Sequence, residues 1–183
     1  MSDDTTADQV SSLRAVAHPL RLRILSLLTG TAMSAAEVAR ELGVTHANAS
    51  YHLRVLAEAG ELVEAGEEKI RGGVAKRYRH PWDDVRSGRR TPTRPRTRSV
   101  EDLVLYVRAM GEEMVRRVAH RKQGKRSWFS DAEMWVEPEV WDRAVELVME
   151  ASRLVHAEAR PPRTEGAVHV ALSAVAFQLQ DER

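Results

Sequence analysis

Residues 45–54, Thr-His-Ala-Asn-Ala-Ser-Tyr-His-Leu-Arg, concentrate side chains that can hydrogen-bond to bases and phosphates. At helical spacing Ala49, Leu53 and Leu56 form an apolar stripe that faces inward. His46, Ala47, Asn48, Ser50, Tyr51 and Arg54 are then left outward, with Thr45 at the helix start and His52 near the boundary. Asn48 can pair bidentately with adenine, and His46 can donate to guanine or phosphate. Thr45, Ser50, Tyr51 and His52 suit phosphate oxygens, and Arg54 suits a backbone clamp. A second group follows in Arg71, Lys76, Arg77 and Arg79. Arg71 at a hairpin tip could enter a minor groove, and the other three would contact phosphates.

These groups need elements to position them. Residues 11–17 carry Leu13, Val16 and Ala17 at helical spacing. His18-Pro19 then opens a second helix, because proline at the first helical position sacrifices an N–H that is unpaired there anyway. His18 reads as a cap or a packed side chain rather than a ligand. Gly30 reads as the stop of that helix. Ser34-Ala-Ala-Glu37 is a capping box that opens a third helix, and Gly43 ends it in a tight turn. Thr45 caps the fourth helix, and Gly60 closes it. Leu62-Val-Glu64 and the alternating residues 74–78 predict a β-hairpin with a long polar tip over residues 66–73.

Several of these segments resemble ArsR-type winged helix-turn-helix regulators. They are Leu13-Arg-Ala-Val-Ala-His-Pro-Leu-Arg-Leu-Arg-Ile-Leu25, Glu37-Val-Ala-Arg-Glu-Leu-Gly-Val-Thr45, Ala49-Ser-Tyr-His-Leu-Arg-Val-Leu56 and Ala59-Gly-Glu-Leu-Val63. Arg71-Gly-Gly before Tyr78 resembles that family's wing. The order and spacing carry the resemblance, which covers residues 11–80. It implies a dimeric transcription factor, usually a repressor that an effector releases, bound to double-stranded DNA at a palindromic operator.

Charge divides the 183 residues further. Residues 1–85 hold 10 basic against 12 acidic side chains, residues 86–126 hold 13 against 4, and residues 127–183 hold 5 against 11. Residues 86–99 contain six arginines, two prolines and a glycine, which predicts a flexible basic linker. Residues 100–122 predict one helix with Leu103, Val107, Met110, Met114 and Val118 as its stripe, expected to form part of a dimer interface. Residues 127–137 and 168–177 predict strands flanking a helix that starts at Pro138. The expected fold class is therefore mainly α with small β (α+β): a winged helix-turn-helix over residues 11–85, the linker, a dimerisation helix, and a C-terminal α/β unit over residues 127–180.

Composition excludes several chemistries. There is no cysteine, hence no disulfide, thiolate metal site or cysteine nucleophile. His120, His156 and His169 lack carboxylates at helical ligand spacing, so no metal is expected. No phosphate-binding glycine loop or nucleophile elbow marks an enzyme, and no cofactor is expected. No apolar run reaches a membrane span, and the acidic first nine residues are unlike a secretory signal; a cytoplasmic protein is expected. Trp128, Phe129, Trp135 and Trp141 crowd the last third and are candidates for an apolar effector pocket, with the core of a small domain as the alternative. Two other functions compete with a specific regulator. One is a non-specific architectural DNA binder; the other is a winged-helix interaction module that does not read DNA.

Overall fold

The computed structural model describes residues 12–70, 73–81 and 99–180. The basic stretch 86–98 and Arg71 lie outside the described residues. The fold is mixed α+β. Helices α1 (Ser12–Val16) and α2 (Pro19–Leu28) come first, followed by the short strand β1 (Met33–Ser34). Then come α3 (Ala35–Leu42), α4 (His46–Glu58), and the hairpin β2 (Val63–Ile70) and β3 (Gly73–Arg79). Two long helices follow, α5 (Val100–Ala119) and α6 (Pro138–Ala157).

Local chemistry sets the helix boundaries. Pro19 occupies the first turn of α2, and the His18 Nδ1 accepts the Leu20 N–H at 3.1 Å. In the capping box of α3, the Ser34 N–H donates to the Glu37 Oε2 at 2.7 Å and the Ser34 hydroxyl accepts the Glu37 N–H. Gly43 ends α3 at φ +67°, a conformation in which a Cβ is strained. Arg23 of α2 donates to the Leu42 carbonyl at 3.1 Å, covering one of the free carbonyls at that helix end. The angle between α3 and α4 is thereby held by a glycine turn, two caps and a cross-helix hydrogen bond.

Among the described residues the main buried cluster lies in this N-terminal part, with Tyr106 of α5 packed against it. Ile24, Leu28, Val38, Ala49, Leu53 and Leu56 are essentially inaccessible, and Leu13, Leu20 and Leu62 close around them. The sheet has the order β1-β3-β2, all antiparallel, with Met33 opposite Tyr78 and Val63 opposite Arg79. The strands are longer than expected. Instead of forming a long tip, the polar segment continues β2 to Ile70, through a bulge between Glu64 and Glu67 where Gly66 takes φ +109°. Strand β1 spans two residues, too few to show a periodicity in the sequence.

Helix α5 packs on α1 and α2. Its inward face differs from the expected stripe. Asp102, Ala109 and Glu113 are buried and Tyr106 leans on the core, whereas Leu103, Val107, Met114 and Val118 remain exposed. The packed face carries small Ala109 at its centre, which permits close approach to two short helices. Among the described residues these four large apolar side chains are thus left without cover.

The two C-terminal strands are not formed. Residues 127–137 and 168–177 contain no strand, so the C-terminal region described here is one helix with irregular segments rather than an α/β unit. Alternation supplies the residue types of a strand, but a ladder needs an adjacent edge, and neither segment pairs with one. The returning chain instead meets the N-terminal domain through residues that include Arg160 and Arg163. Arg163 pairs with Glu41 of α3 at 2.7 Å, and the Arg160 backbone lies against Gly30. A Cβ at Gly30 would stand 2.6 Å from the Arg160 carbonyl oxygen. Gly30 therefore serves a close approach beyond the end of α2. Gly30→Ala is expected to displace residues 158–164, read as faster amide exchange there, while exchange in α2, α3 and α4 stays unchanged. Equal exchange throughout would show that the contact carries no constraint.

Candidate nucleic-acid interface

Helix α4 presents one polar face to solvent. Burial of Ala49, Leu53 and Leu56 fixes its rotation, which leaves His46, Ala47, Asn48, Tyr51 and Arg54 exposed and Ser50 half-buried. The Thr45 hydroxyl caps the helix by accepting the Asn48 N–H at 3.2 Å. It orients the helix start and keeps its own donor for an outside acceptor. The free N–H groups and positive dipole end of α4 point the same way, which favours an anion there.

His52 departs from the expected set. It is 6% exposed and faces inward, with its ring centroid 4.7 Å from that of His18. It therefore sits beneath the exposed face. Burial, then the charges of His18 and Arg21, push its pKa down to about 4. Burial also lowers His18, where Arg21 adds to the effect and Glu112 opposes it. Among the described residues the Nδ1 of His52 and the Nε of Arg21 are buried without a hydrogen-bond partner. Sequence reading missed this polar pocket under α4, because its members come from two helices.

The wing cations are also more committed than their residue types suggest. Arg77 reaches Glu37 and Glu68, each at 2.9 Å, and donates to the Ala32 carbonyl. It ties the hairpin to the start of α3. Burial works against the Glu37 charge, but the Ser34 N–H and hydroxyl and then Arg77 outweigh it, holding the carboxyl below its ordinary pKa. Lys76 is exposed and bonds to Glu64 at 2.7 Å, which raises its pKa. Arg79 is half-buried at the base of β3. Lys76 is thus more accessible to a polyanion than Arg77.

The aromatic candidates are not buried. Trp128, Phe129 and Trp135 are 83%, 68% and 89% exposed, and Trp141 is half-buried on α6. None of the four lines the cavity at the junction of α1, α2, α5 and α6. Among the described residues no group of three or more His, Asp or Glu could hold a metal ion, and no helix is long and apolar enough to cross a membrane.

Comparison with known proteins bears on the N-terminal part. Residues 16–64 match the profile of a helix-turn-helix domain family. A solved structure described as a "possible transcriptional regulator for arsenical resistance" is similar at 22% identity and a TM-score of 0.33, covering 62% of this chain and 99% of that one. No curated protein matches the chain. The matched segment runs from the end of α1 to the start of β2, and the hairpin completes it as a wing. The chain carries a winged helix-turn-helix domain, which supports a DNA-binding regulator of transcription.

Proposed function

We propose that this protein is a homodimeric, sequence-specific regulator of the ArsR type. It acts in the bacterial cytoplasm as a repressor, and an effector working through the C-terminal half releases it from a palindromic operator. The observation that carries this reading is the face of α4. Asn48, Tyr51 and Arg54 stand exposed on a helix whose opposite side is fully buried, so its rotation toward a groove is fixed. The exposed Leu103, Val107, Met114 and Val118 of α5 support a dimer, because a second copy would cover them. Two-fold symmetry then sets half-sites about one helical turn apart.

Arg77 favours a second reading, an interaction module without specific DNA binding. Its charge is neutralised by Glu37 and Glu68, as that of Lys76 is by Glu64, so the wing attracts phosphate less than its cation count implies. Selection of bound duplexes from a random pool at moderate salt separates the two. Recovery of an inverted repeat, bound about 10³-fold or more tighter than bulk DNA, is expected of a specific regulator. Bulk sequence alone would overturn it. On the recovered site, Asn48→Ala is expected to cost about tenfold and to relax preference at one base pair per half-site. A uniform loss across all sequences would instead make Asn48 a backbone contact.

A further inference from the structure

A cavity of about 370 Å3 lies where the winged-helix domain meets the C-terminal half. Leu22 and Leu25 of α2 form one wall, Met110 and Arg117 of α5 another, and Leu172 and Ser173 the roof. Val16 and Ala174 add to the apolar part of the lining, and Glu61, His80, Glu113 and His156 line it beside Arg117. Glu113 is almost fully buried, with a side chain 4% exposed. Arg116 holds its carboxylate with two nitrogens, Nε at 2.9 Å and Nη2 at 2.8 Å from Oε2.

Arg117 contributes much less to that carboxylate. Its Nε stands 3.5 Å from the Glu113 Oε2, and its Nη1 donates to the Ser173 hydroxyl at 3.4 Å. Both contacts are long. Arg117 can leave them without stranding a buried carboxylate, because Arg116 remains. Arg116 is not part of the cavity wall, and Arg117 is. Of the two arginines, the one with the long contacts faces the space, and its guanidinium fork matches a carboxylate bidentately.

We propose that this cavity binds a small apolar monocarboxylate, with its acid group on Arg117 and its hydrocarbon body against Leu22, Leu25, Met110 and Leu172. One guanidinium faces the space, which matches a single carboxylate. Binding draws Arg117 away from Ser173 and so releases the roof. That roof belongs to the chain that leans on Gly30 and Glu41, beside the helices that set α4. The regulatory consequence rests on the DNA-binding reading above; the binding site itself does not.

Calorimetric titration of the full chain with naphthalene-1-carboxylate and with the uncharged naphthalene-1-carboxamide tests the site without DNA. One saturable site is expected, with the acid bound about tenfold more tightly than the amide. Arg117→Gln should remove that preference while keeping amide binding. Ser173→Phe, on a segment outside any helix or strand, should fill the space and abolish both. Absence of saturation, equal binding of the two probes, or a preference that survives Arg117→Gln overturns the proposal. Saturating acid should also change affinity for the selected duplex at least fivefold in the wild type and leave Ser173→Phe unaffected. No change in the wild type would refute the regulatory consequence, while failure to select any duplex would refute the DNA reading and leave the calorimetric result standing.

Discussion

Acidification from pH 7 to pH 5 is expected to cost the fold about 2 kcal/mol through His52, rising to about 3 kcal/mol by pH 4. In the unfolded chain His52 takes up a proton near 6.5, whereas in the folded chain it resists until about 4. Between these values the unfolded state binds more protons, so stability rises with pH across the window. Above about 6.5 both states are neutral at this residue and the contribution is flat. The cause is geometric. His52 is buried against the His18 ring, with Arg21 and Tyr51 beside it and Glu112 acting on His18 from α5. His18 is lowered as well and adds in the same direction. Glu37 also loses its stabilising charge in acid, but a carboxyl held below its ordinary value does so only as the pH falls past that value. Urea unfolding at pH 7, 6 and 5 measures the slope. His52→Leu keeps an apolar body in the site and removes the orphaned Nδ1. It should at least halve the slope while leaving stability at pH 7 equal or higher. An unchanged slope would place the proton uptake elsewhere.

Elements whose causes are local were legible in the sequence. The Ser34–Glu37 box, the Gly43 turn, the Thr45 cap and the Ala49–Leu53–Leu56 stripe each lie within a few residues, and the structure forms all of them. The start of α5 at Val100 likewise follows from Ser99, whose hydroxyl accepts the Asp102 N–H. Features with distant partners were not legible. Arg77 reads as a phosphate contact until Glu37 and Ala32, both from the other end of the domain, are seen to hold it. His52 lies on the edge of its helix stripe, and only His18 on another helix decides which way it faces. In α5 two neighbouring stripes were available, and tertiary packing selected the one with Ala109. The segments at 127–137 and 168–177 have strand-like residue types, yet strand formation depends on a neighbouring edge that periodicity does not report.

Ile24→Ala is expected to destabilise the chain by about 2–5 kcal/mol, and Trp135→Ala to do so by less than about 0.5 kcal/mol in the monomer. The difference follows from burial, not from residue size. Ile24 is fully enclosed between α2 and its neighbours, so truncation leaves a cavity that a close-packed core refills poorly. Trp135 is 89% exposed, and within one chain there is little for it to lose. Protein concentration makes the comparison informative about assembly. If a second copy covers the exposed apolar residues of α5 and the C-terminal region, the unfolding midpoint of the wild type rises with concentration, because association stabilises only the folded state. The Ile24→Ala loss should then appear at every concentration. A Trp135→Ala loss should appear only where the dimer is populated, and should flatten the concentration dependence. A wild-type midpoint independent of concentration would remove the homodimer from the proposed function and leave α4 to bind DNA as a single copy.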